Sequence, residues 1–186
     1  MRVFVGVELD AVLRETVAWW VTEGRRLVER TRVRWVRPEA AHVTLHFLGE
    51  VETTAAPALV ARLSAPYKTA PFEMTLGGVG LFPRPERPRV VWLGLTTGAG
   101  SLQALHRETA ERLASVGFDP EARPCTPHVT LGRVRGSLRR ETVRALTELG
   151  GGPRGRGRVR GVTLFESRTG PEGSTYTVLA TGRCGG

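Results

Sequence analysis

The sequence predicts an α/β (α+β) fold of two like lobes about a pseudo-twofold axis, each sheet covered by its helices. Three observations lead there: buried-strand signatures alternate with helical ones, the whole series occurs twice, and matching landmarks recur at nearly constant spacing. Arg2 to Leu9 is an apolar, β-branched run typical of a buried strand, and Arg89 to Leu95 reads the same way 87 positions later. Each is followed by a helical pattern. Val12, Leu13, Val17, Trp20, Val21 and Leu27 recur at helical spacing between Asp10 and Arg30, with Asp10 as N-cap. Leu102, Leu105, Ala110 and Leu113 do so between Ser101 and Val116, with Gly117 as the stop.

Next comes the string His42-Val-Thr-Leu45, answered 86 positions on by His128-Val-Thr-Leu131. Further helices are expected over 55–64 and 139–149, and each half closes on a strand ending at Phe82 or Phe165. The result is two β-α-β-α-β units, roughly 2–82 and 89–165, plus a last strand near Tyr176–Ala180, in one bilobed domain over 1–186. The proline-rich stretch Phe82–Arg89 is an irregular connection between them, and Gly150–Arg158 reads as a basic, low-complexity loop.

Composition narrows the function classes. With 186 residues, 40% hydrophobic and 24% charged, the chain is globular rather than disordered, with apolar residues enough for a core. It contains no run long enough to span a bilayer, and Glu8 and Asp10 interrupt the N-terminal apolar stretch before a signal-peptide core can form. A soluble, cytoplasmic protein is expected. Its two cysteines, Cys125 and Cys184, make no disulfide framework and no metal spacing. The net charge of +9 favours phosphate-bearing partners, although arginine almost replacing lysine is also what a GC-rich genome produces.

Two of the four histidines head the repeated tetrapeptide. With a strand period of two, His42 and Thr44 leave one face while Val43 and Leu45 enter the core, and likewise His128 and Thr130 against Val129 and Leu131. Side by side about a twofold axis, the strands bring two imidazoles and two hydroxyls to one point. Imidazole can hold or lack a proton near neutral pH, which suits in-line displacement at a phosphodiester, one ring as base and the other as acid. The threonine hydroxyls can donate to the non-bridging oxygens. No metal is required. His46 lies four residues beyond His42, about 13 Å along a strand and too far to share an ion, and it reads as peripheral. His106 is expected on the solvated face of its helix.

The flanks extend the pattern. His42-Val-Thr-Leu-His-Phe-Leu-Gly-Glu50 and Pro127-His-Val-Thr-Leu-Gly-Arg133, with Met1-Arg-Val-Phe-Val5, Arg34-Trp-Val-Arg-Pro38 and Leu81-Phe-Pro83, resemble the two-histidine phosphoesterases. More narrowly, the chain resembles the RNA 2',3'-cyclic phosphodiesterases first described as 2'-5' RNA ligases, as far as about Phe165. That resemblance implies metal-independent hydrolysis of a 2',3'-cyclic phosphate at an RNA end, transfer-RNA fragments among the substrates, to a 2'-phosphate, with ligation as the reverse. It implies His42 as proton donor to the leaving 3'-oxygen, His128 as the base activating water, and Thr44, Thr130 and Arg133 as phosphate contacts. It also implies a bilobed α/β fold with the active cleft between two antiparallel-rich sheets. No cofactor, metal, membrane or obligate protein partner is expected, and the chain is expected to be a monomer. Strict alternation, however, puts Arg133 on the face opposite His128.

Two rival readings keep part of the site. One is a phosphodiesterase for small cyclic phosphates or 2'-5' oligonucleotides, and the other a non-catalytic RNA-binding module using the Arg/Gly-rich loop. The strand aromatics Phe4, Phe82, Trp92 and Phe165 are candidates to stack on a base, Phe82 and Phe165 foremost.

Overall fold

A computed structural model describes residues 1–29, 31–119, 126–149, 152, 155–170 and 173–185. The strands are β1 (Arg2–Glu8), β2 (Val33–Trp35), β3 (His42–Glu50), β4 (Phe72–Phe82), β5 (Val90–Thr97), β6 (Val129–Val134), β7 (Arg156–Val159), β8 (Gly161–Gly170) and β9 (Gly173–Arg183). The helices are α1 (Ala11–Leu27), α2 (Ala56–Ser64), α3 (Ala99–Ala114) and α4 (Arg140–Thr147). One antiparallel sheet runs β7-β4-β5-β6-β3-β1-β8-β9, with β2 added against β6.

That order reads the same from either end once β1, β3 and β4 are exchanged for β5, β6 and β8, which is the expected pseudo-twofold. The lobes are not the two sequence repeats, however. One lobe is β4-β5-β6 and the other β3-β1-β8, so each repeat gives one strand to its twin. The helices cross over too: α1 lies against β4, β6 and β7, while α3 lies against β3 and α2 against β8 and β9. Neither repeat can complete a sheet alone. The buried apolar side chains accordingly form one continuous cluster through both lobes.

Local sequence accounts for the elements. Buried on both faces, β1 needs its unbroken apolar run. Asp10 caps α1, its Oδ1 accepting from the Leu13 N–H at 3.0 Å. Leu13, Val17, Trp20 and Val21 form the buried face of α1, each contributing about 1.5–3 kcal/mol. Val12 and Leu27, expected on that face, stay exposed because they fall outside the stripe. At the end of α3, Gly117 takes φ 84°. Its N–H donates to the Ala114 carbonyl and the Phe118 N–H to that of Leu113, closing the last turn.

The basic run read as a loop is partly strand. Gly155 and Gly157 lie against α1, where a Cβ at 157 would come within 2.5 Å of Asp10 Oδ1. The glycines thus let β7 lie flat on the helix while Arg156 and Arg158 alternate outward. Residues 150, 151, 153 and 154 of that run, and Cys125, lie outside the described residues. No helix among the described residues is long and apolar enough to cross a membrane.

Gly80 of β4 faces Trp92 of β5, and a Cβ there would come within 2.1 Å of the indole ring. Gly80→Ala is therefore expected to lower stability by about 1–3 kcal/mol in urea unfolding. Gly100→Ala, in open space on α3, serves as control and should be neutral or stabilising by up to about 1 kcal/mol.

Candidate active site

The centre of the sheet is the pairing of β3 with β6, registered by Val43 opposite Val129. Both valines are fully buried, so their neighbours on either side face the other way, into the cleft. Continued antiparallel, this register sets His42 opposite Thr130 and Thr44 opposite His128. The two His-Thr pairs thus share one face, each imidazole across from the other strand's hydroxyl.

Both strands then break alternation at the same place. Gly6 and Val5 of β1 pair with Thr44 and His46, leaving Leu45 as an extra residue. Trp92 and Val91 of β5 pair with Thr130 and Gly132, leaving Leu131 extra. Each is a β-bulge, and each inverts the faces beyond it. In β3, His46 turns inward and Phe47 emerges, 61% exposed. In β6, Gly132 turns inward, where a Cβ would lie 2.6 Å from the Val33 side chain, and Arg133 comes out onto the cleft. This corrects the strict alternation that placed Arg133 on the wrong face. His42, Thr44, Thr130 and Arg133 line one cavity of about 350 Å³, with Phe47 and Tyr176. His128 is not in its wall.

The imidazole settings are related by the same pseudo-symmetry. His42 Nδ1 lies 2.9 Å from the Ala40 carbonyl and His128 Nδ1 lies 2.7 Å from that of Thr126. A carbonyl only accepts, so both Nδ1 atoms carry the proton and each Nε2 is left for chemistry. Behind each ring stands a stacked aromatic pair. Phe4 and Phe165, 4.9 Å apart, back His42, and Phe82 and Trp92, 4.8 Å apart, back His128. Tyr176 adds an edge contact to His42 at 5.1 Å. Phe4 and Phe165 are thereby buried as walls, not free platforms, while Phe47, which the motifs did not single out, presents an open ring.

Burial holds His42 below the ordinary 6.5, and the nearby charges of His128 and Arg133 push the same way against the opposing carbonyl bond. His128 is also lowered, by burial, against its bond to Thr126. His46 is no peripheral group: it is buried, its Nε2 bonded to the His106 carbonyl at 2.9 Å and its ring stacked on that of His106 at 4.0 Å. His106 is half-buried by that stack instead of solvated. Among the described residues no cluster of three His, Cys, Asp or Glu side chains is placed to hold a metal ion.

A duplicated antiparallel α/β sheet with paired His-x-Thr strands at its centre defines the class. Within it, the chain belongs to the 2'-5' RNA ligase superfamily, whose profile matches residues 14–171. It is 38% identical over 148 residues to the RNA 2',3'-cyclic phosphodiesterase of Aeropyrum pernix, covering 79% of this chain and 84% of that one. To the protein of that name from Methanothermobacter thermautotrophicus it is 34% identical over 181 residues, 95% of each. Among solved structures, a Thermus thermophilus protein matches with TM-score 0.77 at 28% identity, over 98% of this chain and 97% of that one. Escherichia coli LigT complexed with 3'-AMP matches with TM-score 0.75 at 26%, over the same shares.

All four histidines are held below 6.5, by burial first, whereas the unfolded chain titrates at that value. Below 6.5 the unfolded state binds more protons, so this contribution to stability is complete above 6.5 and is lost as pH falls through the folded values. The urea midpoint is expected to drop between about pH 7.5 and about 5.5, and His46→Gln should flatten the drop.

Proposed function

We propose that the chain hydrolyses the 2',3'-cyclic phosphodiester at an RNA 3' end to a 2'-phosphate and a free 3'-hydroxyl. The observation that carries this reading is the central register, which puts both His-Thr pairs and, through the bulge, Arg133 on one face. It is supported by the relatives named RNA 2',3'-cyclic phosphodiesterase.

In the proposed reaction His128 Nε2 takes a proton from water as its oxygen attacks phosphorus. The bond from phosphorus to the 3'-oxygen breaks, and His42 Nε2 delivers a proton to that oxygen. Thr44 and Thr130 donate to the non-bridging oxygens, and Arg133 offsets their charge. Both imidazoles are neutral-leaning at rest, which suits the base. The acid needs a proton, and the arriving anion supplies the reason for one: it offsets Arg133 and favours imidazolium at His42. With the 5'-hydroxyl of a second strand in place of water, the same base and acid open the cyclic phosphate to a 2'-5' linkage, the 3'-oxygen leaving with the proton from His42. We assign no metal to the reaction, and turnover is expected to persist in EDTA.

His42→Ala and His128→Ala should each lower turnover on a cyclic-phosphate-ended oligoribonucleotide by about 10²–10⁴-fold without loss of fold. Product analysis should show 2'-phosphate ends, and 3'-phosphate ends would reverse the leaving oxygen. Wild-type turnover in either variant overturns the acid–base assignment. Phe47→Ala should raise KM about tenfold with kcat little changed, the size of one lost base stack.

A further inference from the structure

The cleft continues past His42. His42, Ala41 and Tyr176 separate the site cavity from a second of about 440 Å³, which Arg14 and Glu8 also line. Those two residues are shared in turn with a third cavity of about 570 Å³, lined by Arg158, Arg160 and Arg183. Along β9, Tyr176 to Arg183 covers about 23 Å, so the three hollows form one groove leading away from the reacting centre.

Five arginines line the two outer hollows, Arg14, Arg37, Arg158, Arg160 and Arg183, against three carboxylates, Glu8, Asp10 and Glu39, which leaves the groove net positive. Among the described residues the guanidinium groups of Arg14, Arg158, Arg160 and Arg183 have no carboxylate partner, whereas Arg26, Arg32, Arg112, Arg144, Arg156 and Arg168 each have one. Asp10 accepts the Leu13 and Arg158 backbone N–H groups at 3.0 and 2.8 Å and makes no ion pair with a groove arginine. Glu8 accepts from the Thr163 hydroxyl at 3.2 Å. Arg14 also holds a buried Nε with no hydrogen-bond partner between the two outer cavities. A groove with a net positive lining attracts a polyanion.

We propose that this groove holds the phosphodiester backbone of the two or three nucleotides preceding the reacting end, so that single-stranded RNA, not a mononucleotide, is the preferred substrate. The inference rests on the proposed reaction, because a 2',3'-cyclic phosphate is by its chemistry the 3' end of a strand that must leave the cleft. Successive phosphates pair with the arginines, and contacts of this kind carry no base sequence.

The test is the double variant Arg158→Gln with Arg183→Gln, both side chains exposed, with thermal melting to check the fold. Turnover is compared on a cyclic-phosphate-ended oligoribonucleotide of about eight residues and on a mononucleoside 2',3'-cyclic phosphate. The oligomer-to-mononucleoside ratio of kcat/KM should fall at least about tenfold, the loss lying in KM, and the slope of log affinity against log salt for a 2'-phosphate-ended oligomer should shrink by about 1.4. An unchanged ratio with an unchanged slope overturns the groove. Should the wild type hydrolyse neither substrate, the reaction is wrong, and fluorescence anisotropy with the 2'-phosphate-ended oligomer still decides the groove. Equal affinity of wild type and double variant there overturns it.

Discussion

The hydrogen-bonded register of β3 on β6, fixed by Val43 opposite Val129, is the constraint on which the rest of the site depends. A one-residue slip of either strand would exchange that strand's faces, sending its histidine into the core and its valine into the cleft. The register is held from both sides. Val43 and Val129 are fully buried in the common core, and the threonines have polar atoms that the apolar core would leave unpaired. Strand swapping reinforces it, since β4 and β8 each lie in the lobe opposite their own repeat. Sliding one lobe on the other would strain the chain connections that cross between them as well as break the central ladder.

Two bulges convert this symmetric frame into an asymmetric site. Both fall at the same Leu of the repeated string, so the frame inverts its alternation at matched points. What differs is the residue that each inversion turns outward. β3 presents Phe47 and β6 presents Arg133, an open aromatic face on one flank and a fixed positive charge on the other. What turns inward differs for a packing reason. Gly132 lies where Val33 of β2 leaves no room for a Cβ, while His46 reaches the carbonyl of His106 on α3.

Much of this is legible in the sequence, for identifiable reasons. The duplicated strings imply the pseudo-symmetry and the shared face of His42, Thr44, His128 and Thr130, because period-two alternation is local and needs no knowledge of neighbours. The bulges are not legible, since an extra residue at Leu45 or Leu131 exists only relative to β1 and β5. Arg133 is therefore assigned to the cleft from sequence only through the family resemblance, and Phe47 escapes notice. The strand swap is hidden likewise, because chain order does not state which edge a strand joins. In the Arg/Gly run, composition signals a loop, yet the glycines are spaced to admit α1 and the arginines to avoid it. His106 reads as solvated because its companion, His46, arrives from 60 residues away.

Near-symmetric imidazoles pose a last question: what makes one an acid and the other a base? Both carry the Nδ1 proton toward a backbone carbonyl and both are backed by aromatic pairs, so neither tautomer nor burial separates them in kind. The difference is Arg133. It lines the cavity that His42 also lines and His128 does not, and its charge, after that of His128, disfavours imidazolium at His42. In the proposed reaction the cyclic phosphate cancels that charge as it binds, and the negative oxygens then favour the proton that the arginine had opposed. His42 thus holds the proton that it donates only once the phosphate is bound, while burial keeps His128 neutral-leaning, as a base requires. A duplicated fold can in this way run a directional reaction, its symmetry broken by one guanidinium that a single extra strand residue brings into the cleft.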